Sequence, residues 1–100
     1  MRFTWDPEKN RINQRKHGIS FESVVPMFFD ERSIPVEDRE VEGESRKWLL
    51  GWSHSLAVLV VVYVDREDDD EEIIRIISAR KATRSERREY EAALRSRGEP

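Results

Sequence analysis

The sequence predicts an α+β fold in which helices pack on an antiparallel sheet of four to five strands. Helix signals occupy both ends of the 100-residue chain, and strand-like apolar runs occupy its middle. The run LAVLVVVYV, residues 56–64, is apolar on both faces, which is typical of a central, fully covered strand. At this length we expect a single domain over residues 1–100, with a modest core.

The N-terminal segment, RFTWDPEKN and onward, predicts a short strand followed by two helices. Asp6 is placed to cap the first helix, and Pro7 stands at its first position, where a missing N–H costs nothing. Gly18 suits the left-handed residue that ends this helix. Ser20 begins the second helix, and Pro26 shortens, kinks or breaks it.

Four strands and a final helix follow. Pro35 favours an edge position for the first of these strands. In the next strand, RKWLLGWSH, alternation places one set of residues on a single face, namely Arg46, Trp48, Leu50, Trp52 and His54. The acidic run at residues 65–72 predicts the connection between two apolar strands. Thr83 and Glu86 have the spacing of a capping box, which begins the final helix.

Charge is distributed unevenly along this acidic chain, whose formal net charge is −3. Residues 1–20 and 73–100 are basic, whereas residues 21–72 hold fifteen acidic side chains against five basic ones. A basic patch can still bind a polyanion, because salt screens the distant carboxylates beyond ~8–10 Å. The sequence therefore allows a local nucleic-acid surface on an acidic protein.

Several classes of protein are excluded or disfavoured. The chain has no cysteine, which removes disulfides and thiolate zinc sites and is compatible with the cytoplasm. Its N-terminus has no apolar signal segment, and its longest apolar run falls far short of the ~20 residues that span a bilayer. No nucleotide-binding, serine-hydrolase or metalloenzyme motif is present, so we expect no cofactor and no metal.

The most basic stretch is RIISARKATRSERREYE, residues 75–91. Arginines beside a helix N-terminus make a phosphate site, because guanidinium groups match phosphate oxygens bidentately. The alternative is a solvated helix face whose arginines pair with neighbouring glutamates. Arg80 and Arg84, at the junction of strand and helix, fit the phosphate site better than Arg87 and Arg88 do.

Other candidate residues each have a structural alternative. His17 is either a proton shuttle or a cation that complements the C-terminal end of its helix. Tyr90 is either catalytic or part of the core, and His54 has no accompanying motif. Trp48 and its neighbour Trp52 suit a core or an interface, with base stacking as the other reading. The acidic run lacks calcium-loop spacing and is best explained as a solvated hairpin.

Three motifs resemble those of one family, the BrnT-type toxins of bacterial type II toxin–antitoxin modules. WDPEKNRINQRKHGISF is similar to the family's opening, through Trp5, Asp6, Pro7, Lys9, Asn13, Lys16, His17, Gly18, Ser20 and Phe21. ESRKWLLGWS resembles an internal strand motif, through Glu44, Arg46, Gly51 and Ser53. IRIISARKATRSERREYE is similar to the closing signature. The resemblance covers roughly residues 3–91, and the acidic run departs from it.

The resemblance implies a RelE-like fold and a ribonuclease that inhibits translation. It also implies neutralisation by a BrnA-type antitoxin with a ribbon-helix-helix DNA-binding part. The expected partners are thus an RNA substrate, this antitoxin in a dimeric complex, and operator DNA only through that complex. No membrane partner is expected.

RNA cleavage without a metal needs a base, an acid and cations around the reacting phosphate. We predict a catalytic set that consists of His17, Arg80, Arg84, Arg46 and Tyr90. We predict a further set of substrate-binding residues that consists of Lys16, Arg75, Lys81 and Arg87. A second hypothesis is a non-catalytic module whose basic final helix docks an antitoxin or DNA-binding partner, since its apolar stripe is thin.

Overall fold

The computed structural model describes residues 1–53 and 57–98, which form a sheet with helices on both of its faces. The elements are β1 (Arg2–Thr4), α1 (Pro7–His17), α2 (Phe21–Val24), a 3-10 helix (Val25–Phe29), β2 (Ile34–Val41), β3 (Glu44–Trp52), β4 (Val58–Asp68), β5 (Glu71–Lys81) and α3 (Arg84–Ser96). The predicted α+β order is confirmed. His54 lies outside the described residues. None of the helices described is long and apolar enough to cross a membrane.

The helix boundaries follow the predicted capping residues. The Asp6 side chain accepts a hydrogen bond from the Glu8 N–H at the start of α1, and Gly18 ends this helix with a φ of 71°. After Ser20 caps α2, the chain tightens into the 3-10 helix at the turn that contains Pro26, because proline cannot donate the α-helical hydrogen bond.

The five strands lie in the order β1-β5-β4-β3-β2. Strands β2 to β5 form the predicted antiparallel meander, with β2 at one edge. Strand β1 pairs with β5 in parallel, through Arg2–Thr4 opposite Ile73–Arg75. The sheet is therefore mixed rather than purely antiparallel. The meander β2 to β5 is antiparallel, and β1 adds a parallel strand at the edge beside β5.

The two faces of the sheet carry separate cores. On the first face, residues of α2 and the 3-10 helix, such as Phe21 and Met27, pack on Val61 and Ile76. On the second face, Tyr90 and Leu94 of α3 pack on Leu50, Val58 and Val60. Helix α3 covers only part of the second face, so the rest of that face is available to polar side chains.

Two β-bulges determine which side chains share the second face. In a regular strand, residues an odd number apart point to opposite faces. The register of β5 shifts between Ile76 and Ser78, so Arg75 lies opposite Val64 and Arg80 lies opposite Val60, on the same face. In β2, a shift between Pro35 and Glu37 likewise places Ile34 and Arg39 on one face.

Asn13 of α1 joins the helix to the outer edge of β5. Its amide group donates to the Ala79 carbonyl (2.8 Å) and accepts from the Ala79 N–H (3.2 Å), as a neighbouring strand would. The same amide donates to the Ile19 carbonyl at 2.9 Å. Asn13 is buried, so these contacts satisfy backbone groups that β1 is too short to reach.

The acidic run forms more strand than predicted. Strands β4 and β5 pair out to Asp68 and Glu71, and only Asp69 and Asp70 form the turn. Both turn residues have positive φ, 51° and 65°, as in the tight hairpin turns that match strand twist. Among the described residues, no three His, Asp or Glu side chains are grouped so that they could hold a metal ion.

Replacing Asn13 with Ala removes the partners of three buried backbone groups. We expect the free energy of unfolding to fall by about 2–4 kcal/mol, because buried unsatisfied groups cost about 1–3 kcal/mol each and water recovers part of the loss. Urea denaturation measures this change. Gln14→Ala, at the exposed neighbouring position on α1, should change stability by less than about 0.5 kcal/mol; equal effects at the two positions would contradict the role of Asn13.

Candidate active site

The second face of the sheet carries an arginine cluster, which consists of Arg39, Arg46, Arg75 and Arg80. Arg39 pairs directly with Arg46 across β2 and β3. Lys47 pairs with Tyr63, so the preceding residue, Arg46, lies beside Val64, whose other neighbour is Arg75. With strands ~4.8 Å apart, Arg46 and Arg75 have Cα atoms roughly 10 Å apart.

Val64 lies between two arginines of the cluster in the sheet and is buried. It is only 3% exposed although it belongs to neither of the two main cores, and its cross-strand neighbours are Arg46 and Arg75. Arginine can cover apolar surface with its methylene groups while the guanidinium stays at the surface. The residues on either side of Val64 are therefore suited to cover it.

Arg80 is held by the start of α3. Its Nη1 and Nη2 atoms donate to the two carboxylate oxygens of Glu86 at 2.7 and 2.9 Å, and Nη1 also donates to the Lys81 carbonyl at 3.3 Å. Glu86 is in turn part of the predicted capping box. It accepts from the Thr83 N–H at 2.8 Å, while its own N–H donates to Thr83 Oγ1.

This network fixes the protonation state of both partners. The Arg80 guanidinium, with help from the Thr83 N–H, lowers the pKa of Glu86 to about 2, and Glu86 raises the pKa of Arg80. Glu86 is therefore a weak base at neutral pH and is poorly suited to remove a proton from a substrate. Its role is to orient Arg80.

Trp48 connects Arg80 with a residue that the sequence did not single out. The guanidinium carbons of Arg39 and Arg80 lie 5.2 and 5.4 Å from the centroid of the Trp48 ring. The sequence does not single out Arg39, because its strand, IPVEDREV, is a weak and acidic strand pattern. The bulge in β2 also breaks the alternation that would assign Arg39 to a face of the sheet. Only the pairing with Arg46 reveals its position.

Arg46 has a less complete set of partners. Its Nε atom is buried and makes no hydrogen bond within the described chain, and the closest carboxylate oxygen, from Glu44, is 3.9 Å away. Glu44 instead forms an ion pair with Arg66 of the neighbouring strand. A buried donor without an acceptor is costly, so the Nε of Arg46 contributes no stabilising hydrogen bond to this face.

Lys16 and His17 lie near one end of β5. Helix α1 starts beyond the residues that pair with Ile73–Arg75 and passes Ala79 at Asn13, so its last turn approaches the end of β5 that carries Arg80. Both side chains are exposed. Among the described residues His17 makes no hydrogen bond or ion pair with the arginine cluster, so the course of α1 alone brings the two toward the same end of β5.

The remaining predicted residues lie outside the cluster. Arg84 is exposed at the first position of α3. Lys81 and Arg87 line a separate depression of about 380 Å³ together with Trp52 and Glu91, and Arg87 pairs with Glu91 at 3.7 Å. This pair is the helix-face arrangement that the sequence offered as the alternative reading.

Tyr90 lies in the core. It is 1% exposed and contacts Trp52 edge to face, with ring centroids 6.3 Å apart. A side chain so completely covered by α3 and the sheet cannot reach a substrate on the surface, and its position corresponds to the core alternative. Trp52 and Trp48 both pack against this core, and Trp48 also contacts Arg39 and Arg80 of the arginine cluster.

A comparison with known families decides what kind of protein this is. The family described as "Ribonuclease toxin, BrnT, of type II toxin-antitoxin system" matches residues 5–86. The chain belongs to the BrnT family. The resemblance read from its three motifs is thereby confirmed, and the arginine cluster lies on the surface of a ribonuclease toxin.

A solved BrnT structure supports the fold. The chain is similar to the ribonuclease toxin BrnT of Brucella abortus, solved at 1.1 Å resolution, with a TM-score of 0.62 and 24% identity. The match covers 84% of this chain and 99% of the Brucella chain. No curated protein sequence matches the chain significantly. At this identity the Brucella structure bears on the fold and not on the role of any residue.

Glu86→Gln tests the network around Arg80. We expect a loss of about 1–2 kcal/mol near neutral pH, because glutamine keeps a capping oxygen but loses the charge-assisted bonds. The folded-state pKa of Glu86 is about 2, below its ordinary value of 4.5. The wild type should therefore exceed the variant in free energy of unfolding by the full amount above pH 4.5, and this difference should disappear as the pH falls toward about 2. Unfolding measured across this range checks the prediction.

Glu89→Gln is the matched control, since Glu89 is an exposed residue of the same helix. Its stability should follow that of the wild type at every pH. A Glu86→Gln variant whose deficit is unchanged between neutral pH and pH 2 would show that the Arg80 pair does not determine the acid response.

Proposed function

We propose that this BrnT-family toxin is a metal-independent endoribonuclease whose arginine cluster binds the scissile phosphate. The observation that carries the proposal is that Arg46, Arg75 and Arg80 share one face of the sheet. Three cations from two strands, β3 and β5, on one surface provide what a developing phosphorane needs, namely concentrated positive charge in a fixed geometry.

The reaction uses the 2′-hydroxyl of the substrate. A base takes its proton, the 2′-oxygen forms a bond to the adjacent phosphorus, and the bond from phosphorus to the 5′-oxygen breaks. An acid gives a proton to the departing 5′-oxygen, so the products are a 2′,3′-cyclic phosphate and a 5′-hydroxyl. No electron transfer or additional reactant is needed.

Arg80 has the geometry of a phosphate clamp even though Glu86 compensates its charge. A guanidinium carries five N–H groups, and the contacts to Glu86 and Lys81 engage Nη1 and one N–H of Nη2. The Nε–H and the second Nη2–H lie on one side of the group and have no acceptor among the described residues. Two parallel donors of this kind suit two phosphate oxygens.

His17 is the proposed acid or base, with Lys16 as the alternative. The reasons are its exposed position in the last turn of α1 and the course of that helix toward the Arg80 end of β5. Imidazole exchanges protons near neutral pH, which neither the arginines nor Glu86 do. Arg84, exposed at the start of α3, is proposed as a further contact to the RNA backbone.

As a type II toxin, the protein works with an antitoxin. We propose that this partner is a BrnA-type, ribbon-helix-helix protein, that the toxin reaches operator DNA only through their complex, and that it inhibits translation in the cytoplasm. The idea of a non-catalytic docking module loses its motivation, because Tyr90 and Leu94 of α3 are covered by the protein's own sheet. Copurification with the product of an adjacent gene tests the antitoxin assignment.

Arg80→Ala should reduce RNA cleavage by about 10²–10³-fold, because it removes a donor aimed at the transition state. The assay uses purified protein and RNA in EDTA, with mapping of the product ends. Arg88→Ala removes an exposed arginine of α3 that lies outside the cluster, and it should cleave at the wild-type rate. Intact RNA with wild-type protein in EDTA, or equal rates for the two variants, would rule out the proposed site.

A further inference from the structure

Trp48 contacts two arginines that come from different strands. Its indole ring lies within cation–π range of Arg39 on β2 and of Arg80 on β5, with carbon-to-centroid distances of 5.2 and 5.4 Å. β5 is two strands away from Trp48 and β2 is adjacent to it. The ring therefore links guanidinium groups that the backbone alone would leave independent.

The contact with Trp48 restrains Arg80 in addition to Glu86. The carboxylate of Glu86 holds the end of the guanidinium through Nη1 and Nη2. The Trp48 ring lies 5.4 Å from the guanidinium carbon, and this second contact consumes no N–H because the interaction is with the π system. The Nε–H and the second Nη2–H therefore stay unengaged by the described residues while the group is held by two neighbours.

Arg39 is the second arginine in contact with the Trp48 ring. Its residue partner in the sheet is Arg46, so two like charges are adjacent across β2 and β3, which costs free energy. Attraction to the Trp48 ring offsets part of this repulsion and keeps Arg39 within the cluster. Arg39 and Arg80 thus share one aromatic support.

We propose that Trp48 is a positioning residue that holds Arg39 and Arg80 as one clamp for the phosphates of single-stranded RNA. The inference rests on the proposed ribonuclease function, because that function supplies the ligand. Arg39 becomes a phosphate-binding residue, and Trp48 acts through both arginines without touching the reacting atoms. The clamp spans the sheet from β2 to β5, so it fixes the direction in which the RNA crosses the second face.

The test measures binding of a short 2′-O-methyl RNA, which cannot be cleaved because its attacking hydroxyl is blocked. Trp48→Leu should weaken binding about tenfold, because binding must then order two long arginine side chains that Trp48 holds in advance. Trp48→Phe keeps a ring face and should bind within about threefold of wild type. Trp52→Leu is the matched control, because Trp52 shares the strand and the face but packs on Tyr90.

A double-mutant cycle separates positioning from general destabilisation. Arg39→Ala and Arg80→Ala should each weaken binding about tenfold in the wild type and in Trp52→Leu, but only about twofold or less in Trp48→Leu. Thermal melts of the same variants show whether Trp48→Leu and Trp52→Leu lose similar stability. A loss of stability alone does not change the size of the arginine effects.

The outcomes are distinct for the clamp and for the nuclease. Undiminished arginine effects in Trp48→Leu, or a Trp48→Phe variant as weak as Trp48→Leu, overturn the clamp. Wild-type protein that does not bind the methylated RNA also overturns it. Wild-type protein that binds this RNA but leaves unmodified RNA intact in EDTA overturns the proposed nuclease function and leaves the clamp standing.

Discussion

The amide group of Asn13 is the contact on which the arrangement of this protein depends. It pairs with Ala79 at the point where β5 has passed the end of β1, so it closes an edge that would otherwise carry unsatisfied backbone groups. The same contact determines where α1 ends relative to β5. One buried side chain therefore completes the sheet and locates the end of the helix that carries His17.

The acidic balance of the chain is compatible with an RNA-binding surface because the two signs of charge are segregated in space. The carboxylates of residues 65–72 extend along the β4–β5 hairpin, while the arginine cluster lies on the second face beside α3. The carboxylates that enter the cluster have specific tasks. Among the described residues, Glu86 orients Arg80 and begins a helix, and Glu44 pairs with Arg66.

Local signals in the sequence determined much of the fold. Asp6, Gly18 and the Thr83–Glu86 pair predicted helix ends correctly, because each acts through its immediate neighbours. The site was harder to predict, since strand alternation counts residues and cannot detect a bulge. Arg75 and Arg80 are an odd number of residues apart, and Arg39 has no apolar pattern around it. For Tyr90 the sequence offered both a core and a catalytic position, and the choice depends on which face of α3 meets Trp52.

The bulge in β5 also bears on how related toxins are recognised. A bulge is an additional residue, so a chain that lacked Ile77 would form a regular ladder with Arg75 and Arg80 still on one face. The strand can thus lose one residue at the bulge while Arg75 and Arg80 stay on the same face of the sheet. A one-residue deletion between them at any other point, with the bulge kept, would move one of the two arginines to the opposite face. A signature with rigid spacing across Ile76–Ser78 would overlook proteins that keep the same surface with a shorter strand.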